Sequence, residues 1–230
     1  MKYMGSKNRH AKHIVPFLTQ HKDKPFVDPF VGGGNILDKI KTEGVGSDIN
    51  PYVIQALKTI RDDLNRLPKN NTEFTEADYK AMRGSGDALE GYAAFALSYG
   101  GKEWGGWRRD RTGTRDYVAE AYRNAVKQSK GLQNKTLHCC AFSEIYIPSN
   151  AVVYCDPPYK GTTGYKHNFN HKLFWQWCER IANRGVPIYV SEYNAPEGWQ
   201  CVWQKEVNNT LVKDTGAKKG IEKLFTKEKV

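Results

Sequence analysis

A doubly wound α/β domain on a largely parallel sheet, carrying a helical insertion, is the fold this sequence predicts, on three observations. Short apolar runs of strand type alternate with amphipathic helical patterns towards both ends of the 230-residue chain. A glycine turn, Gly32-Gly33-Gly34, directly follows the first of those runs. Between about Phe74 and Gly131 the alternation stops, and two helical patterns flank a glycine-aromatic-arginine loop. The expected division is residues 1–70 with 132–230 as one domain and 71–131 as the helical insertion, a size one core can serve.

Taken in order, Phe26-Val27-Asp28 reads as a strand running into the glycines. Ile36, Leu37 and Ile40 then recur at helical spacing, and Val45–Asp48 reads as the next strand. Asn50 is an N-cap with Pro51 at the first helical position, where a missing N–H costs nothing. Ile54, Leu57, Leu64 and Leu67 continue that helix, and Pro68 with the polar run after it marks its end. In the insertion, helices are expected around Ala88–Tyr99 and from Thr114, as N-cap, through Ala125. Leu137–Cys140, Val152–Cys155 and Val186–Ser191 are further strands, with an amphipathic helix over Leu173–Ala182 closed by Gly185. Gln200–Glu206 and Glu222–Phe225 are expected as an antiparallel pair at the sheet edge.

Composition narrows the function. Thirty-nine percent hydrophobic and 12% aromatic residues suffice for a core and exclude a mostly disordered chain. The longest unbroken apolar run, Tyr92–Leu97, is too short to span a bilayer, so no membrane partner is expected. The N-terminus is basic with no apolar stretch behind it, so no signal peptide is expected either. Five cysteines, two of them adjacent, suit free thiols in a reducing cytoplasm better than disulfides or a zinc site. Thirty-five Lys and Arg against 25 Asp and Glu leave a net charge of +10, which points to a polyanionic partner.

Two motifs carry chemistry. Glycines after a strand let the backbone approach a ligand closely, and Asp48 stands twenty residues beyond Asp28 at the end of the following strand. That is where an open α/β sheet puts the carboxylate that binds a ribose diol, so an adenosine-containing cofactor is expected. The loop lacks the strict dinucleotide pattern and the Lys-Ser/Thr ending of a nucleoside triphosphate site, which disfavours NAD and ATP. The second motif, Asp156-Pro157-Pro158-Tyr159, ends an apolar strand with a carboxylate, two rigid prolines and an aromatic ring. A carboxylate, a fixed carbonyl and a ring face together suit a planar exocyclic amine.

On these residues the chain resembles the DNA adenine-N6 methyltransferases of the Dam-like D12 class, over nearly its whole length. Tyr3-Met4-Gly5-Ser6-Lys7 resembles the family's N-terminal motif, and Asp28–Gly34, with Phe30 and Gly32, its cofactor loop. Ser47-Asp48-Ile49 resembles the ribose-binding motif, and Asp156–Tyr159 the Asp-Pro-Pro-Tyr motif. The resemblance implies a Rossmann-like S-adenosyl-L-methionine-dependent methyltransferase whose insertion recognises the target in double-stranded DNA. It implies that Tyr3, Lys7, Asp48 and Asp156 line the cofactor pocket, with Phe142 against the adenine. No metal is expected in the reaction, and a cytoplasmic protein of bacterial or phage origin is implied.

In that reading Asp156 and the Pro157 carbonyl accept the two N6 hydrogens, and Tyr159 stacks on an adenine flipped out of the duplex. Arg108, Arg109, Arg111 and Arg115 are the expected DNA contacts. The family's GATC-reading members carry an Arg-x-Asn signature that this loop lacks, so GATC is not the expected site. Alternatives are an RNA or protein-glutamine N-methyltransferase, which more typically carries Asn at the position of Asp156, and a non-catalytic DNA-binding module. His167 and His171 are four apart with no third ligand nearby in sequence, which suits a solvent-facing pair. Ser191–Pro196 also resembles a family segment, and no chemical role is assigned to it.

Overall fold

The computed structural model describes residues 1–159, 169–208 and 219–227. In chain order its elements are α1 (Ala11–Thr19), β1 (Phe26–Asp28), β2 (Gly44–Asp48), α2 (Pro51–Asp62), α3 (Glu76–Met82) and α4 (Glu90–Phe95). They continue with α5 (Tyr117–Leu132), β3 (Lys135–Cys139), β4 (Val152–Cys155), α6 (His171–Asn183), β5 (Ile188–Glu192), β6 (Gln200–Asn208) and β7 (Lys219–Thr226). The strands order as β3-β2-β1-β4-β5-β7-β6, a seven-stranded Rossmann-like sheet. The chain divides into two compact units, Met1–Lys12 with Asp28–Ile145, and His13–Val27 with Tyr146–Val230.

In the first unit β2 and β3 pair in parallel from Gly44↔Lys135 to Asp48↔Cys139. The Asn50 side chain accepts from the Tyr52 N–H and Pro51 opens α2, as the sequence predicts. Val53, Ile54, Ala56, Leu57 and Ile60 make the buried face of α2. Against it lies α4, so close that a Cβ on Gly91 would stand 2.3 Å from the Tyr52 carbonyl oxygen.

Three expectations for this unit are corrected. The helical spacing at Ile36, Leu37 and Ile40 yields only a 3₁₀ turn, Leu37–Lys39. Only residues 35–43 separate the glycine turn from β2, and Ile40 already has extended backbone. The helix expected to reach Leu67 stops at Asp62, and a separate 3₁₀ turn, Leu64–Arg66, covers the rest. The second insertion helix is capped by Asp116, whose side chain accepts from the Ala119 N–H, and not by Thr114. The Thr114 N–H and hydroxyl instead donate to the Asp110 carboxylate, which also accepts from Thr112 and Arg115. Two further helices are added, α1 with Pro16 inside it and α3, whose Thr75/Asp78 capping box was legible in the sequence and went unused.

In the second unit β1, β4 and β5 run parallel. All four residues of β4 are buried, as expected of a parallel strand covered on both faces. The expected C-terminal antiparallel pair is present, but β7 inserts between β5 and β6, so β6 alone forms the edge. Phe174, Trp177, Cys178, Ile181 and Ala182 form the buried face of α6. Among the described residues no helix is long and apolar enough to cross a membrane.

Candidate active site

Of the residues expected to bind the cofactor, all but Asp156 belong to the first unit. At the carboxyl end of β1 the buried Asp28 accepts the Phe30 N–H at 3.1 Å, which turns the chain into the glycine loop. The Val31 N–H then donates to the Ser47 carbonyl at 2.9 Å, and the Gly32 N–H to Asp48 Oδ2 at 3.2 Å. Asp48 Oδ1 accepts a further N–H from Asn50 at 2.9 Å. Burial of this carboxylate outweighs those two hydrogen bonds and pushes its pKa up to about 6.

Gly32 sits at φ +46°, and a Cβ there would come within 2.9 Å of the Tyr3 ring. Tyr3 thus covers the loop, and it packs on Phe95 at 5.2 Å. Lys7 is buried in the same N-terminal segment. The Phe30 and Phe142 rings stack at 5.4 Å and 24°, and Ile49, beside Asp48, stays 62% exposed. A carboxylate at a strand end, an aromatic pair and an exposed aliphatic side chain are the donor set an adenosine needs: diol acceptor, ring partner and apolar wall. These residues fit S-adenosylmethionine.

Two supports of the loop lie outside its motif. Gln128, on α5, donates from Nε2 to the Gly33 carbonyl at 2.8 Å. Asn35 donates to the Met1 carbonyl at 2.9 Å and the Ser6 hydroxyl at 2.8 Å, tying the N-terminal segment to the loop. Gln128 did leave a trace in the sequence, since it falls on the stripe Ala121, Ala125, Leu132 that is otherwise apolar.

The second motif belongs to the second unit. Asp156 leaves the carboxyl end of β4 and Pro157 is buried behind it. The Tyr159 hydroxyl donates to Glu222 Oε2 at 2.8 Å, and the Tyr193 ring meets the Tyr159 ring edge-on at 4.7 Å and 80°. Burial, then the nearby Asp156 and Glu222 carboxylates, push the Tyr159 phenol pKa well up, so it stays neutral. Tyr193 and Glu222 were not singled out from sequence.

The four arginines of the insertion part company. Arg108 is buried, 3.1 Å from Glu120, with its guanidinium 4.1 Å above the Tyr117 ring. Arg115 is exposed and pairs with the same Glu120 at 2.5 Å. Arg109 is exposed and bound by Glu76. Arg111 is exposed and makes no ion pair among the described residues. No cluster of three His, Cys, Asp or Glu able to hold a metal occurs among the described residues, and His167 lies outside them.

The chain is 25% identical to the Type II methyltransferase M.FokI of Planomicrobium okeanokoites, across 90% of this chain and 38% of that protein, so it spans well under half the length of that relative. Among solved structures it is similar to HI0767 of Haemophilus influenzae, a candidate methylase (TM-score 0.39, 14% identity, 97% of this chain and 88% of that one). It is also similar to SMU.472, a candidate methyltransferase solved with SAH (TM-score 0.36, 12% identity, 97% and 53%). The model of the D12 class N6 adenine-specific DNA methyltransferases matches residues 3–85 and 109–201, which include the N-terminal motif, the glycine loop, Asp48 and Asp156–Tyr159. The chain belongs to the D12 class of N6 adenine-specific DNA methyltransferases.

Proposed function

We propose that this chain methylates N6 of adenine in double-stranded DNA at a short specific sequence, with S-adenosylmethionine as donor. The observation that carries the reading is the intact Asp156-Pro157-Pro158-Tyr159 at the end of a buried strand, in a member of this family. When bound, S-adenosylmethionine supplies an electrophilic methyl group on a sulfonium. Asp48 holds the ribose hydroxyls, while Phe30, Phe142 and Ile49 enclose the adenine. Tyr3 and Lys7 close the pocket from the N-terminal segment, and Asp28 and Gly32 shape the loop.

An exocyclic amine is a weak nucleophile because its lone pair is delocalised into the ring. Asp156 and the Pro157 carbonyl accept its two N–H groups, so the nitrogen becomes pyramidal and its lone pair is freed for the methyl carbon. Breaking of the carbon–sulfur bond accompanies formation of the carbon–nitrogen bond, and the surplus N6 proton leaves by way of Asp156. The target base must leave the duplex, and stacking on Tyr159 offsets part of that cost of a few kcal/mol.

The insertion, residues 71–131, is the segment proposed to recognise the target. Its exposed Arg109, Arg111 and Arg115 are the DNA contacts, while the buried Arg108 supports the loop through Glu120 and Tyr117. Long-read methylation mapping of DNA from cells expressing the chain tests the reading, and 6-methyladenine at one recurrent sequence is the expected result. Transfer to RNA or to a glutamine peptide, with none to DNA, overturns it.

A further inference from the structure

We infer that Tyr193 and Glu222 are positioning residues that clamp the Tyr159 ring in the orientation needed to stack on the substrate base. The inference rests on the proposed methylation of adenine. β5 and β7 are antiparallel and Glu192 pairs with Lys223, so Tyr193 and Glu222 sit opposite each other one step beyond that pair. From this sheet end they reach Tyr159 by different means. Glu222 Oε2 accepts the Tyr159 hydroxyl at 2.8 Å, fixing the far end of the ring. Tyr193 presents its edge at 4.7 Å and 80°, fixing the plane. The hydroxyl lies on the Cβ–Cγ axis, so Glu222 stops the ring swinging about Cα–Cβ, while Tyr193 opposes its turning about Cβ–Cγ.

The same geometry assigns a division of labour. The Tyr159 hydroxyl is committed to Glu222 as donor, so Tyr159 contributes its ring to the reaction and transfers no proton in it. It also gives a use to the Ser191–Pro196 segment: the Tyr154 hydroxyl and Ser191 Oγ, 2.8 Å apart, tie β4 to β5 just before Tyr193 emerges. Asp156 and Tyr193 therefore leave neighbouring strands of one rigid layer.

The test compares Glu222→Leu with Glu222→Gln, and Tyr193→Ala with Tyr193→Phe, in the full chain. Methyl transfer is measured on unmethylated bacteriophage DNA, and S-adenosylmethionine binding by calorimetry. Leu and Ala are expected to lower kcat/KM for DNA by about tenfold each, the equivalent of one hydrogen bond or one aromatic pair. Gln still accepts from the phenol and Phe keeps the ring edge, so both are expected to stay within about twofold of wild type. Cofactor affinity is expected to hold in all four.

A 3-fluorotyrosine at position 159 reads the ring without catalysis. Its ¹⁹F spectrum should show distinct, slowly exchanging ring orientations in the parent chain, one averaged signal after Tyr193→Ala, and shifted signals after Glu222→Leu, which frees the ring to swing about Cα–Cβ. Parental kcat/KM in the Leu and Ala variants overturns the proposal, as does an equal loss in the Leu and Gln variants with a lowered Tm. An averaged ¹⁹F signal in the parent chain overturns it as well. If the parent chain methylates no DNA while its ¹⁹F signals are distinct, the proposed function fails and the clamp itself stands.

Discussion

Asp48 ties the chemistry of one residue to pH. Its carboxyl titrates at about 6 in the fold against 3.8 ordinarily, because burial penalises the charge more than two backbone N–H groups favour it. Between those values the native chain binds more protons than the unfolded one. Stability therefore falls as pH rises through about 4 to 6, by up to about 3 kcal/mol in total. Asp48→Asn should remove that slope in urea titrations and leave the cofactor-free protein more stable at pH 7. The ionised carboxylate is the better acceptor for a ribose diol, so S-adenosylmethionine affinity should rise as pH passes 6 and weaken in the Asn variant, as read by calorimetry. Asp156 answers a different measurement. Asp156→Ala is expected to lower methyl transfer by at least about a hundredfold, since it removes an acceptor from the reacting nitrogen. DNA retention in a gel-shift assay should be unchanged.

Among the elements, α2 and α4 show how local signals and long-range packing divide the work. The start of α2 was legible because Asn50 and Pro51 act within one turn of themselves. What α4 does was not legible, since Gly91 matters through the Tyr52 carbonyl on another helix. Gly91→Ala would place a methyl 2.3 Å from that oxygen, forcing the helices apart. A loss of about 1–3 kcal/mol in urea unfolding is expected, although alanine raises intrinsic helix propensity. The cap of α5 makes the same point on a smaller scale. Thr114 and Asp116 are both good N-caps, and the cap fell to Asp116, whose side chain accepts the Ala119 N–H while the Thr114 hydroxyl is turned to Asp110.

For the whole molecule the net charge of +10 predicts DNA binding that weakens steeply with salt. Arg111→Ala, removing an exposed cation that no carboxylate holds among the described residues, should reduce the slope of log K against log salt by about one if it meets a phosphate. If it reads a base edge, the slope stays and the recognition sequence relaxes at one position in methylation mapping. Arg108→Ala should behave in another way. It leaves both Glu120 and the Tyr117 ring with Arg115 alone, so it should lower Tm with little change in salt slope.

The amino-acid sequence by itself determined the strands on either side of the glycine turn, the carboxylate at the end of β2, and the aspartate-proline-proline-tyrosine turn after β4. Each depends on residues a few positions apart: a glycine with positive φ, a proline without an N–H, an apolar run too short for a helix. Tertiary structure decided which side chains support those motifs. Gln128 reaches Gly33 across 95 residues, Glu222 reaches Tyr159 across 63, and β7 passes inside β6 to bring Glu222 there. It also decided which arginine is buried, because Arg108 packs between Glu120 and the Tyr117 ring while Arg109, Arg111 and Arg115 stay exposed. Such choices are absent from any local pattern: a partner's chemistry is written in the chain, but its distance is set only when the core packs.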